Sequence, residues 1–265
     1  MLELNNVVKT FNAKTINEKT ALCGINLKLD KGDFVTVIGG NGAGKSTMLN
    51  AVAGTFPIDD GSIIIDGNDV TRLSEHKRAA FLGRVFQDPM MGTAADMQIE
   101  ENLALAAKRG KKRGLKWSVT SADRKRFKEL LSALDLGLEN RLSVKVGLLS
   151  GGQRQALTLL MAVMQQPKIL LLDEHTAALD PKTAAKVLEL TDKFISEEGL
   201  TAMMVTHNMK DAIKHGNRLI MMNEGRIILD ISGEEKQKLT KRDLMDKFAE
   251  IAGMQVESDQ VLLTR

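Results

Sequence analysis

The sequence predicts an α/β core with a helical subdomain inserted between two of its strands. Three observations predict it. Phe34 to Ile38 is a short β-branched run closed by glycines, and Lys45 to Ala53 then carries a helical pattern, the opening of a βαβ unit. From about Asp96 to Gln166 apolar residues such as Ile99, Leu103 and Ala106 recur at helix spacing. Strand and helix alternate again from Lys168 onward.

Taken in order, Ser62 to Asp66 followed by Gly67 and Asn68 reads as a strand and turn. Ser74 is the expected N-cap of a helix from Glu75 to Leu82, and Arg84 to Phe86 a short buried strand. Ser121 to Leu134 reads as a helix with Phe127, Leu130, Leu131 and Leu134 on one face. Lys168 to Leu172 is a strand, Pro181 to Ser196 a helix with proline at its start, and Thr201 to Val205 a strand. Asn208 to Lys214 is a short helix. Arg218 to Met222 and Arg226 to Asp230 read as a hairpin around Asn223, Glu224 and Gly225.

The 265 residues are 43% hydrophobic, enough to fill a sizeable core. A net charge of +3 is too small an excess to imply nucleic acid, and 3% aromatic content leaves few platforms for bases. Cys23 is the single cysteine, so no internal disulfide can form and a reducing compartment is expected. The start, Met1 to Asn6, lacks the pattern of a secretory signal. The longest apolar runs, such as Ile169 to Leu172, fall far short of the ~20 residues that span a bilayer. A soluble chain is expected, one that something else must hold if it works at a membrane.

Gly39-Gly40-Asn41-Gly42-Ala43-Gly44-Lys45-Ser46-Thr47 fits the P-loop pattern and lies between a predicted strand and helix. Glycines let backbone N–H groups curl around phosphates, and the helix aims its positive end at them. Lys45 is expected to reach the β- and γ-phosphates, and the Ser46 hydroxyl to ligate Mg²⁺. A chance glycine turn is the bland alternative, against which the Lys-Ser-Thr ending weighs. Ile169 to Leu172 then leads an apolar strand into Asp173 and Glu174, bringing one carboxylate to the metal and another where a water-activating base belongs. Leu149-Ser150-Gly151-Gly152-Gln153 opens an apolar helix, so a hydroxyl and two bare amides stand at a second helix N-terminus. One γ-phosphate is not easily held by both devices within a monomer. A two-fold dimer resolves this by setting each device opposite the other's P-loop.

These motifs resemble the ATP-binding subunit of bacterial ABC transporters, and the likeness runs to about residue 232. The resemblance implies a P-loop NTPase core of the ABC type within residues 1–232. Its helical subdomain would be inserted at about 90–166, with an N-terminal antiparallel β subdomain before it. Residues 233–265 would form a short C-terminal helical extension. Leu149 to Gln153 matches the family's signature sequence, Gln87 its Q-loop glutamine, Ala178 to Asp180 its D-loop and His207 its switch histidine. By that resemblance ATP and Mg²⁺ are the cofactors, and Ser46, Gln87 and Asp173 surround the metal. Glu174 is the base, Asp180 organises the site across a dimer, and His207 holds the γ-phosphate. Phe11 is similar to the aromatic residue that stacks on adenine, with a core aromatic as the other reading. His175 stands where relatives commonly carry proline, and Ala156 where a basic residue is common.

The implied partners are a second copy or a paired ATPase subunit, transmembrane permease subunits and a separate substrate-binding protein, with no nucleic acid. The implied place is the cytoplasmic face of the cell membrane, held there through the permease. Asp173 to Asp180 is similar to a subgroup of bacterial importer ATPases, some linked to amino acid uptake. The alternative class is an ABC ATPase acting away from membranes, for example in iron–sulfur assembly. A P-loop kinase leaves the signature unexplained. Met90, Met91 and Met97 read equally as core filler or as an adaptable groove for the permease. The basic run from Lys108 to Lys116 reads as a solvated loop or a patch for anionic headgroups.

Overall fold

The computed structural model describes residues 1–110, 119–247, 249 and 250. Ten strands and eight α-helices are defined in it. They run β1 (Leu2–Phe11), β2 (Lys19–Leu29), β3 (Phe34–Gly39), α1 (Lys45–Ala53), β4 (Asp60–Ile65), β5 (Asn68–Asp69), α2 (Glu75–Arg78) and β6 (Leu82–Val85). There follow α3 (Ile99–Ala107), α4 (Ser121–Ser132), α5 (Gly151–Val163), β7 (Ile169–Asp173), α6 (Pro181–Glu198) and β8 (Thr201–Val205). The last are α7 (Met209–Lys214), β9 (Arg218–Asn223), β10 (Arg226–Ser232) and α8 (Gly233–Lys238), after which residues 241–247 are again helical.

The core sheet has the order β10-β9-β3-β8-β7-β6, parallel except for the β10 edge. Its central strands are near-continuous apolar runs because helices cover both faces. Leu170, Leu171, Leu172 and Val205 are fully buried. Registry pairs Val37 with Val205 and Asp173 with Val205, so β3, β7 and β8 end at one level. Ligands of such sheets bind beyond the carboxyl ends of the strands. The P-loop, Glu174 and His207 all follow from that edge.

A second, antiparallel sheet of order β2-β1-β4-β5 carries the N-terminal strands. Its inner residues, among them Leu2, Leu22, Ile63 and Ile65, share one apolar core with Met48 and Leu49 of α1 and with Val35 and Val37. The helical insert packs on the other face of the core sheet, where Phe127, Leu131 and Leu134 of the α4 region share one cluster with Ile99, Leu103 and Leu157 and with Leu170, Leu172 and Met204 of the sheet.

Three expectations shift. The helix expected to reach Leu82 stops at Arg78, because Leu82 is taken into the sheet opposite Ile169. Arg78 itself turns inward: its guanidinium donates to Ala51 O, Val52 O, Leu73 O and Thr71 O at 2.7–3.0 Å and so caps the last turn of α1. The segment from about 90 to 166 is less continuous than its periodicity implied. Short 3₁₀ turns at Leu138–Asn140 and Val146–Leu148 separate α4 from α5, because the chain must double back before the Ser150 helix start. Of the basic run, 111–118 lie outside the described residues. Arg109 is half-buried and donates to Ala162 O at 2.9 Å, so it anchors the insert rather than facing solvent.

Candidate functional site

The loop from β3 to α1 is built by a close approach. Gly39 has φ +150, and a Cβ there would stand 2.2 Å from Met222 O on β9, so only glycine lets β3 end this close to its neighbour. Ala43 O then accepts from Gly225 N at 3.0 Å, and Gly225 O accepts from Cys23 N at 2.9 Å. The β9–β10 turn thus braces the loop from behind, a support that the sequence places 180 residues away and does not signal. Gly44 is the N-cap of α1 with φ 99 and makes no side-chain cap, so the first-turn N–H groups of Lys45, Ser46 and Thr47 have no capping side chain. Gly40 has nothing within 4 Å of where its Cβ would be, and Asn41 and Gly42 are exposed. This turn is open to an incoming group.

Lys45 is buried, and its Nζ donates to Gly39 O at 2.9 Å and Gly40 O at 3.0 Å. Burial lowers its pKa, while Glu174 and then Asp173 pull it back up. A cation desolvated beside an open loop is preset for anionic oxygens. The Ser46 hydroxyl donates to Asp173 Oδ1 at 3.1 Å and joins the loop to the end of β7. Burial raises the Asp173 pKa, opposed first by the Ser46 hydrogen bond and then by Arg84. A hydroxyl and a carboxylate side by side are hard oxygen donors, and magnesium takes only one or two protein ligands of that kind beside substrate phosphates. The residues present fit Mg²⁺ and a nucleotide phosphate chain.

Glu174 follows with φ 44, left-handed for a non-glycine residue, and its N–H donates to Val205 O at 3.0 Å. Its Oε2 lies 3.4 Å from Nδ1 of His207, the second residue after β8. Glu174 is largely shielded and His207 mostly exposed, so a carboxylate and an imidazole share the mouth of the sheet edge. A cavity of about 330 Å³ runs behind them, bounded by Leu179, Asn208, Asp211 and His215. Gln87 is exposed two residues past β6, whose Val85 pairs with Leu172, and so stands at the same edge.

Phe11 ends β1 opposite Lys19 and meets Phe56 edge to face, with ring centroids 5.2 Å apart. Lys9 Nζ lies 5.6 Å from one ring and 5.5 Å from the other. Phe56 and Lys19 were not singled out from the sequence. Lys19 Nζ would be 3.3 Å from a Cβ on Gly42, so this lysine overhangs the phosphate loop.

The residues from Ser150 to Gln153 form a different kind of helix start. Ser150 Oγ accepts from Gln153 N at 3.3 Å, and Gln153 Oε1 accepts from Ser150 N at 3.3 Å, a reciprocal capping box. The Gln153 side chain also donates to Leu136 O at 3.5 Å. Gly152 allows close packing, since a Cβ would fall 2.0 Å from Thr183 Cγ2 of α6. Asp180 likewise caps α6, accepting from Thr183 N at 3.1 Å. The signature and the D-loop are therefore one packed unit in the chain.

The family model for ABC transporters matches residues 22–177. The chain is 44% identical over 248 residues to a tyrosine transport ATP-binding protein of Clostridioides difficile, covering 94% of this chain and 98% of that one. It is 33% identical to the spermidine/putrescine import ATP-binding protein PotA of Haemophilus ducreyi, covering 94% of this chain but 62% of PotA. The dimeric structure of a post-hydrolysis ATP-binding cassette bound to ADP and phosphate superposes with a TM-score of 0.74 at 30% identity, over 88% of this chain and 98% of that chain. Loop, acidic strand and signature helix agree with these likenesses. The chain belongs to the ABC transporter family, as one of its ATP-binding, ATP-hydrolysing subunits.

Proposed function

We propose that the chain powers an importer for amino acids, working as a head-to-tail homodimer beneath separate permease subunits at the cytoplasmic face of the membrane. A separate substrate-binding protein delivers the cargo. The observation that carries the reading is the 3.1 Å link from Ser46 to Asp173, with Glu174 and His207 at the same sheet edge and a second helix start at Ser150 whose side chain caps its own helix. A phosphate loop in one copy then needs the signature of the other. The tyrosine cargo printed for the 44% identical relative supports the substrate class. The import named for PotA supports the direction. Among the described residues no helix is long and apolar enough to cross a membrane, which fits a motor that relies on permease subunits.

In this reading Gly39 to Thr47 cradle the phosphates, and Lys45 moves its ammonium from the loop carbonyls to the β- and γ-phosphate oxygens. Ser46, Asp173 and Gln87 hold magnesium, whose chemistry is to neutralise charge on those oxygens. Glu174 accepts a proton from water as that water's oxygen bonds to the γ-phosphorus and the bond to the β-phosphate oxygen breaks, leaving ADP. His207 steadies the transferring group. The hydroxyl of Ser150 and the amides of Gly151 and Gly152 meet it from the partner, with Asp180 ordering the contact. Phe11 stacks on adenine.

The test is Glu174→Gln in membrane vesicles that contain the permease. It should bind ATP and trap the dimer, while ATP turnover and uptake of radiolabelled tyrosine fall at least ~100-fold, the scale of losing a general base. Normal turnover by this variant overturns the assignment.

A further inference from the structure

The residue after Glu174 is a histidine, and it does not face the nucleotide. His175 is 2% exposed, and its Nε2 lies 3.1 Å from Thr191 Oγ1 in the middle of α6. Thr191 is fully buried and spends its one hydroxyl hydrogen on Val187 O at 2.8 Å. Oγ1 can therefore only accept from the ring, which fixes the hydrogen of His175 on Nε2.

The neighbouring backbone gives that bond a purpose. Glu174 occupies the left-handed region at φ 44, a strained conformation for a non-glycine residue that persists only where its surroundings hold it. On the amino side Glu174 N is tied to Val205 O. On the carboxyl side Glu174 O accepts from Ala177 N at 3.0 Å, and within the turn so closed the side chain of His175 is fastened to α6.

We infer that His175 is a positioning residue for the hydrolytic reaction: through Thr191 it fixes the backbone turn that aims the Glu174 carboxylate at the attacking water. The inference rests on Glu174 acting as the base. The bond requires an N–H at the Nε2 position and an acceptor on α6. Glutamine in place of the histidine can supply the first, and valine in place of Thr191 removes the second without touching the loop.

The experiment measures ATP turnover, KM for ATP and thermal unfolding of the full chain with its permease. His175→Ala and Thr191→Val should each lower kcat about tenfold with KM within about twofold, the signature of a misaimed group rather than lost binding. His175→Gln should restore kcat to within about threefold. The double variant His175→Ala with Thr191→Val should be no slower than either alone, since both cut one bond. If both single variants lower the unfolding temperature but keep wild-type kcat, the contact is structural only and the inference is wrong. Additive losses in the double variant overturn it too. If Glu174→Gln turns over normally, the reading of the base fails first. If that variant is dead while Thr191→Val is fully active, only the positioning role is lost.

Discussion

The helix starts of α1 and α5 both carry glycines, and they are finished in opposite ways. At α1 the N-cap is Gly44 with no side-chain cap, and the open turn at Gly40 precedes it. At α5 Ser150 and Gln153 cap each other, and Gly152 is packed against Thr183. Both ends carry the partial positive charge of a helix N-terminus. The first keeps its N–H groups for an anion and brings Lys45, Ser46 and Asp173 with it. The second consumes much of its donor capacity internally and keeps a hydroxyl hydrogen and two bare amides on a rigid tip. One end is built to bind a phosphate chain by itself. In the proposed reading the other completes a site that the partner's loop has filled.

The strongest way to break this comparison is to damage each end separately and mix the products. Lys45→Ala should weaken ATP binding at least ~100-fold, because it removes the one buried cation at the loop. Gly151→Asp should leave binding by the isolated chain within about threefold yet cut hydrolysis about 100-fold, by setting a carboxylate against the partner's phosphate. A Cβ at Gly151 would lie 3.4 Å from Leu179 Cδ2, an ordinary contact, so the fold should tolerate it. Mixing the two inactive variants should restore about a quarter of wild-type turnover. Half the dimers would then be mixed, each with one intact composite site. No recovery on mixing would mean that the two ends do not meet across a dimer.

A smaller effect separates the adenine end of the loop from its phosphate end. Phe11→Ala should raise the Kd for ATP roughly tenfold, the loss of one stacked ring at ~1–3 kcal/mol. Phe56→Ala should raise it only about threefold, since Phe56 acts by holding the Phe11 ring edge-on. Equal values for the two variants, measured by calorimetry, would make the aromatic pair a plain core contact.

The degree to which each part was legible follows from how local its physics is. The P-loop, the Asp173 and Glu174 strand end, and the Ser150 helix start are each written within a few consecutive residues. Strand, turn and cap chemistry act at that range, and the core sheet follows from the same runs. Phe56 as the neighbour of Phe11, Lys19 over Gly42, and Gly225 behind Ala43 depend on registry between distant strands. No spacing rule carries that information. The helix stops short of Leu82 for a non-local reason too: Leu82 pairs with Ile169, and four carbonyls hold Arg78 in the core. Gln153 shows the same limit. Its motif is legible in the sequence, but the contact of its side chain with Leu136 O, 17 residues back, is not.

An effect on stability with none expected on nucleotide lies behind the phosphate end, where α8 grips the turn between α7 and β9. Lys236 is 2% exposed and its Nζ donates to His215 O and, at 2.7 Å, to Gly216 O. Burial lowers its pKa from 10.5 to about 8, with Asp192 opposing. The unfolded chain therefore binds this proton more tightly than the folded one. Between about pH 8 and 10.5 the unfolded state carries more protons, so stability rises with pH across that window, and below it the full cost of about 3 kcal/mol is present. Urea unfolding should show the native chain gaining about 2 kcal/mol more than Lys236→Met between roughly pH 7.5 and 9.5, other titrations cancelling in the difference. Because this lysine touches the loop that follows the switch helix and not the nucleotide end, its replacement should leave ATP affinity unchanged. A parallel rise in both chains would mean that the ammonium is solvated and that α8 does not clamp the turn.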